Sequence, residues 1–78
     1  MQKSFSLSLL EIGERATIYH LDSLELPSKF YEMGLLPGTV VEIKHKAPFN
    51  GPIGLHIPSS NLLIAIRKSE ALHIFVEK

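Results

Sequence analysis

The sequence predicts a mainly β fold, a small β-barrel of about five short strands with one short inserted helix. Short apolar runs rich in valine and isoleucine are separated at close intervals by glycine and proline, which is typical of short strands joined by tight turns. The chain has 78 residues, so we expect a single domain over residues 1–78, too small for a large sandwich. Because closure removes the exposed edges of a small sheet, a barrel is the favoured arrangement.

The first elements come from residues 7–12 and 16–20. Residues 7–12 are rich in leucine and end at Gly13, a pattern that fits either a helical turn or an extended lead-in. Residues 16–20 alternate and are rich in strand-forming residue types. They therefore predict the first clear strand.

A short helix is predicted to end over residues 28–33. Leu26, Phe30 and Met33 recur at the spacing of one helix face. Gly34 follows directly, and glycine is favoured just beyond a helix because it tolerates the left-handed conformation there. Phe30, Met33 and one of the two leucines that follow are expected in the core.

Strands and tight turns alternate after the helix. Pro37-Gly38 has the residue types of a type II turn, and residues 39–46 after it predict a strand. Asn50-Gly51 is predicted as the tip of the next loop. Residues 53–57 alternate and predict the strand that returns from it.

The C-terminal part predicts two more strands around a helical turn. Residues 62–67 are apolar on both sides, which indicates a strand that is covered on both faces or has an outward apolar face. Residues 68–71 predict a short helical turn. Residues 72–77 alternate again, with Leu72, Ile74 and Val76 on one side, and predict the last strand.

Charge and composition argue against several classes of function. Eight basic and eight acidic residues leave no net charge, whereas a nucleic-acid binder needs a positive field to displace counterions. The sequence has no cysteine, which excludes disulfides and thiolate chemistry. No apolar run approaches the ~20 residues that span a bilayer, and residues 1–10 lack a signal-peptide core. We therefore expect a cytoplasmic protein with no nucleic-acid partner and no direct membrane insertion.

Three segments of the sequence, residues 29–38, 47–53 and 64–71, carry motifs that belong together. Residues 29–38, KFYEMGLLPG, resemble the basic-apolar-x-x-apolar-Gly-apolar-x-Pro-Gly signature of the FeoA family. Residues 47–53 resemble its Ala-Pro loop followed by Pro-Ile, and residues 64–71, IAIRKSEA, resemble its C-terminal (I/L)-A-L-R-x-x-E-A element. The sequence departs from the pattern at Gly51, where an acidic residue often precedes the proline, and at Ile66, which replaces a leucine.

The resemblance implies an SH3-like β-barrel with an inserted helical segment. It also implies a small non-enzymatic accessory protein of bacterial ferrous iron uptake. The implied partner is FeoB, a membrane transporter with a cytosolic GTPase domain. The same barrel forms the C-terminal domain of some metal-dependent repressors, so a metal-sensing or regulatory domain is the alternative, and a weak homo-oligomer is a third. The sequence shows no helix-turn-helix, which counts against an autonomous repressor.

No catalytic, cofactor or metal site is expected. The histidines, His20, His45, His56 and His73, show neither i, i+2 spacing on one strand nor i, i+4 spacing on a helix, so scattered surface positions are favoured over ligands converging across the barrel. The sequence has no Gly-x-Ser-x-Gly elbow and no glycine-rich phosphate loop. We therefore expect a binding module rather than an enzyme.

The candidate partner contacts are amphipathic or apolar residues with two basic ones. Tyr31 is expected outside, and Phe49 is expected either to contact a partner or to cap the barrel end. Leu62 and Ile64 would form an apolar strip if they face the same side. Arg67 would steer a partner or pair locally with Glu70. The full set is Lys29, Tyr31, Leu35, Leu36, Phe49, Leu62, Ile64 and Arg67.

Overall fold

The computed structural model describes residues 4–78, in which six antiparallel strands form one sheet with two short helices and a 3₁₀ turn. Residues 1–3 lie outside this part. The predictions of a domain over residues 1–78 and of residues 1–10 without a signal-peptide core both include them. The elements are β1 (Phe5–Ser6), a 3₁₀ turn (Leu7–Leu9), β2 (Arg15–Leu21), α1 (Lys29–Glu32), β3 (Val40–Lys46), β4 (Ile53–Ile57), β5 (Leu62–Ile66), α2 (Lys68–Ala71) and β6 (Ile74–Glu77).

The strands follow the order β1-β6-β2-β3-β4-β5 across the sheet. The last strand therefore lies between the first two, while β2 to β5 form a meander. Register shifts interrupt the pairing of β2 with β6 near Ile18 and of β3 with β4 near Ile43. Such bulges bend a strand and increase its twist, which lets a short sheet curve around a core. The prediction of a mainly β, SH3-like barrel with a short inserted helix is confirmed.

The core consists of inward side chains from all the longer strands. On β4, Ile53, Leu55 and Ile57 are buried and alternate with half-buried Gly54 and His56. Phe30 of α1 is fully buried and belongs to the same cluster. Because burying apolar surface contributes roughly 25 cal/mol per Å², this single cluster must stabilise a chain that has no disulfide.

The boundaries of the helix and its following turn agree with the sequence. Met33 caps α1, and Gly34 adopts φ +97°, the left-handed conformation expected just beyond a helix. Gly38 has φ +94°, and the N–H of Thr39 donates to the Leu36 carbonyl at 3.0 Å. This is the hydrogen bond of the predicted type II turn.

Three local features add to or differ from what the sequence predicts. The strand β1 was not expected, because two residues cannot show alternation; it pairs Phe5 with Val76. Of the two alternatives for residues 7–12, the helical turn is found, as the 3₁₀ turn over residues 7–9, and the Ser6 hydroxyl accepts the N–H of Ser8 at 3.2 Å. Leu72 is half exposed and not in the last strand, because the chain still has helical dihedral angles there.

Candidate interaction surface

The histidines occupy separate local environments. His20 stacks on Phe75 with ring centroids 6.1 Å apart, and His56 Nε2 lies 3.0 Å from Asn61 Oδ1. His73 Nδ1 lies 3.7 Å from a carboxylate oxygen of Asp22. Within residues 4–78, no three His, Cys, Asp or Glu side chains converge as a metal-binding group would require.

The candidates around α1 separate into buried and exposed residues. Leu35 has no exposed surface, so its side chain is part of the core and not a partner contact. Tyr31 is half-buried and packs against the core, whereas Leu36 is 44% exposed. Lys29 is exposed, and its Nζ lies 5.8 Å from the centroid of the Phe30 ring. The sequence could not distinguish Leu35 from Leu36, because both follow the end of the helix.

The candidates on β5 face inward. Leu62 pairs with Ile57 and Ile64 with Leu55, so both share the side of β5 that packs toward the core. Leu62 remains partly exposed at the end of that side. The outward apolar side chain is Leu63, which is 64% exposed and was not among the candidates. Because residues 62–66 are apolar at every position, alternation could not identify the outer face.

Phe49 occupies the most exposed position among the large apolar residues, with 98% of its surface accessible. It therefore does not cap the barrel end, and that alternative is wrong. Phe49 and Asn50 both lie in the left-handed region, with φ 58° and 59°, so the loop tip is one residue earlier than Asn50-Gly51. A bulky residue at positive φ is uncommon, and in this conformation the Phe49 side chain is open to solvent.

The loop that carries Phe49, residues 48–51, is fixed at its base. The N–H of Gly51 donates to the Pro48 carbonyl at 3.1 Å, and the N–H of Ala47 donates to the Pro52 carbonyl at 3.0 Å. A Cβ at position 51 would lie 2.7 Å from the Cβ of Ala47, so the close approach of the two sides of the loop requires glycine there. We call residues 48–51 the Phe49 loop.

A surface groove lies between the Phe49 loop and α2. Lys68 Nζ donates to Asn50 Oδ1 at 3.0 Å and joins the two sides. We call this the basic groove; its lining residues are Asn50, Gly51, Pro52, Arg67, Lys68, Ser69 and Leu72. A smaller depression that shares Asn50 and Lys68 adds Lys46, and another that shares Pro52 and Arg67 adds Lys29.

The basic side chains of the described chain divide into two groups. Arg15 and Lys44 both pair with Glu42, at 2.8 Å and 3.0 Å, and Lys78 pairs with Glu14. The ion pairs within residues 4–78 do not include the other four, which are Lys29, Lys46, Arg67 and Lys68. All four line the basic groove or the depressions beside it.

Only one carboxylate lines these depressions, and it is used by the backbone. Glu70 Oε1 accepts the N–H of Arg67 at 2.8 Å, so the expected pairing of the two side chains is replaced by a helix cap. In the paired group, the side chains of Lys44 and then Arg15 lower the pKa of Glu42 by hydrogen bonding. The Lys78 side chain likewise lowers the pKa of Glu14. A chain of zero net charge therefore collects unpaired positive charge around the Phe49 loop.

Comparison with known proteins gives a family and a fold. The FeoA domain family matches residues 5–78. A search of curated protein sequences returns no match. No helix within residues 4–78 is long and apolar enough to span a membrane.

Solved structures with this fold include FeoA proteins and a repressor. The crystal structure of an iron uptake regulatory protein (FeoA) is 25% identical, with a TM-score of 0.79, and 96% of each chain is covered. The NMR structure of a FeoA-like protein from Clostridium acetobutylicum is 32% identical, with a TM-score of 0.84, over 99% of this chain and 88% of that one. A manganese-dependent transcriptional repressor is 18% identical, with a TM-score of 0.83, over 100% of this chain and 43% of that one.

Proposed function

Because the chain belongs to the FeoA family, we propose that it is a cytoplasmic, non-enzymatic accessory protein that binds and modulates the FeoB transporter from its cytosolic side. Family membership makes it a small domain associated with iron uptake. The single observation that carries the proposal is the FeoA match over residues 5–78, which covers almost all of the described chain.

The surface of the molecule supports a binding role. The basic groove is a surface feature, and its lining includes unpaired basic side chains with the apolar groups of Pro52 and Leu72. An exposed aromatic residue, Phe49, stands beside it. Aromatic residues and arginine are enriched at protein interfaces because they combine apolar area with directed polar contacts.

A module of this kind modulates a transporter by binding one of its states more tightly than another. A tenfold preference corresponds to about 1.4 kcal/mol, which a small interface can supply. FeoB would then shift toward the preferred state without any chemistry being done by the bound protein.

The proposal is tested by titrating this protein against the soluble GTPase domain of FeoB, with and without GTP, and against full-length FeoB in nanodiscs. Saturable binding to either form is the expected result. Binding that depends on GTP would show that the protein responds to the nucleotide state. Binding to the full-length protein alone would place the contact outside the GTPase domain. No binding to either form would contradict the proposal.

A regulatory domain of the repressor type is the second candidate. The manganese-dependent repressor, at 18% identity, shares the fold with this chain, and the likeness establishes nothing beyond the fold. This candidate predicts heat on adding Mn²⁺ or Fe²⁺ in calorimetry near neutral pH, and no heat would exclude it. The third alternative is a homo-oligomerisation module. It predicts that the protein self-associates in sedimentation equilibrium without FeoB.

A further inference from the structure

We infer that the Phe49 loop and the basic groove together bind an acidic segment of FeoB that carries an apolar side chain for Phe49 to contact. The inference rests on the function proposed above and adds the surface of this chain and the chemistry of its occupant. Three features of the structure support it: the presentation of Phe49, the segregation of charge and the apolar floor of the groove.

The Phe49 side chain is held in a position from which it can contact a partner. Its side chain is almost completely exposed, while the loop below it is held by backbone hydrogen bonds across both residues 48–51 and residues 47–52. The side chain of Asn50 accepts a further hydrogen bond from Lys68. A loop fixed in this way loses little conformational freedom on binding, so its aromatic side chain contributes more of its contact energy to affinity.

The segregation of charge specifies the chemistry of the occupant. Arg67 and Lys68 line the groove, and Lys46 and Lys29 lie in the depressions on its two sides. None of the four is among the ion pairs of residues 4–78, whereas Arg15, Lys44 and Lys78 all are. An acidic partner segment supplies the missing carboxylates, which guides association and fixes its orientation.

The groove also fits a polypeptide better than a nucleic acid. Pro52 and the half-exposed Leu72 give it an apolar floor, and Glu70 lies beside Arg67. The chain as a whole has equal numbers of acidic and basic residues, so it lacks the net positive field that attracts a phosphate backbone. An acidic segment with an apolar residue matches both the charges and the floor.

The test compares matched variants in binding to full-length FeoB in nanodiscs of neutral lipid. Phe49→Asn removes the aromatic ring and keeps a residue type that tolerates positive φ. The double variant Arg67→Gln with Lys68→Gln removes two groove charges, and Gln at position 68 still has an N–H donor for Asn50. The controls are Leu24→Ala, which truncates another exposed apolar side chain, and Arg15→Gln with Lys44→Gln, which removes two paired charges.

We expect each groove variant to weaken binding about tenfold or more and the controls to stay within about threefold of the unmodified protein. As the NaCl concentration rises, the double groove variant should lose less of its affinity for FeoB than the unmodified protein loses. Amide shifts in NMR spectra of the labelled protein, on adding FeoB, should concentrate in residues 46–52 and 67–72. The dispersion of the free variants' spectra checks that they are folded.

The outcomes separate the inference from the proposed function. If the unmodified protein binds FeoB and both groove variants bind equally well, the surface assignment is wrong and the proposed function stands. If the unmodified protein does not bind FeoB at all, both fail. A single-stranded DNA oligonucleotide is the competing probe: if it displaces FeoB and its own binding is lost in the groove variants, the acidic polypeptide is the wrong occupant.

Discussion

Two regions of this small molecule use basic side chains in opposite ways. In the first, which we call the paired region, Glu42 holds Arg15 and Lys44, and Glu14 holds Lys78. In the second, the basic groove, Lys68 binds only the amide oxygen of Asn50, and no ion pair of residues 4–78 includes Arg67. The paired charges neutralise one another in the folded state, whereas the basic side chains of the groove take part in no ion pair of residues 4–78.

The difference shows how a neutral chain can still present a charged surface. Net charge describes the whole sequence, but a partner meets only the residues that the fold brings together. Within residues 4–78, ion pairs take up Arg15, Lys44 and Lys78, and the basic side chains outside these pairs are the four that line the basic groove and the depressions beside it. The predictions below address this comparison, beginning with the largest expected effect.

Truncation of the shared core should affect both regions together. Leu55 is fully buried on β4 and lies between Ile43 on β3 and Ile64 on β5. We expect Leu55→Ala to lower the free energy of unfolding by about 2–5 kcal/mol, because the lost contacts leave a cavity. Urea denaturation followed at probes in both regions measures this effect.

The control for this prediction is Leu63→Ala, which truncates an exposed leucine on the neighbouring strand and should change the free energy of unfolding by less than about 0.5 kcal/mol. Separate unfolding transitions for the paired region and the basic groove in Leu55→Ala would show that the two regions do not share one cooperative core.

Adding a side chain at Gly51 should disturb the groove and not the paired region. The new Cβ would lie 2.7 Å from the Cβ of Ala47, so we expect Gly51→Ala to cost about 1–3 kcal/mol. Adding Ala47→Gly removes the nearer of the clashing atoms and should recover part of the stability. Thermal unfolding measures both, and a Gly51→Ala protein as stable as the unmodified one would contradict the close approach.

A smaller, pH-dependent effect is expected in the paired region. Lys44 and then Arg15 lower the pKa of Glu42 below its ordinary value of 4.5. Because the folded pKa is the lower one, the ionised carboxylate stabilises the fold above that value, and the contribution disappears as pH falls through the lowered pKa. Glu42→Gln should therefore lower the melting temperature at neutral pH, and the difference should shrink in acid.

Melting temperatures of the two proteins across the acid range provide the measurement. Glu25→Gln is the control, because Glu25 is exposed and takes part in no ion pair of residues 4–78. A difference between Glu42→Gln and the unmodified protein that stays constant with pH would mean that the ion pairs do not act through the charge of Glu42.

The smallest effect on stability is expected at Phe49. The side chain is almost fully exposed, and asparagine tolerates the left-handed conformation of this position, so Phe49→Asn should change the free energy of unfolding by less than about 0.5 kcal/mol. Alanine tolerates the left-handed conformation less well than asparagine, so Phe49→Ala should be slightly less stable than Phe49→Asn. A large loss of stability in Phe49→Asn would give Phe49 a structural role and weaken its role in binding.

Local patterns in the sequence were sufficient for most of the elements. Alternation identified β2, β3, β4 and β6, because inward and outward side chains succeed one another along a half-buried strand. The spacing of apolar residues and a glycine at the end identified α1. The two residues of β1 could not be predicted as a strand, since their only strand signal is their pairing with β6. The single-domain prediction and the interface residues other than the buried Leu35 remain predictions.

What the sequence by itself determined is five of the six strands, β2 to β6, together with the helix and its turn and the absence of net charge, because each depends on neighbouring residues or on composition alone. Only the tertiary structure decided that Leu35 is buried while Leu36 is exposed, and that Leu63 faces outward from β5. It also placed Lys46 of β3 and Lys68 of α2 in one depression beside the Phe49 loop. These outcomes depend on contacts between residues that are distant in the chain, and no local spacing encodes them.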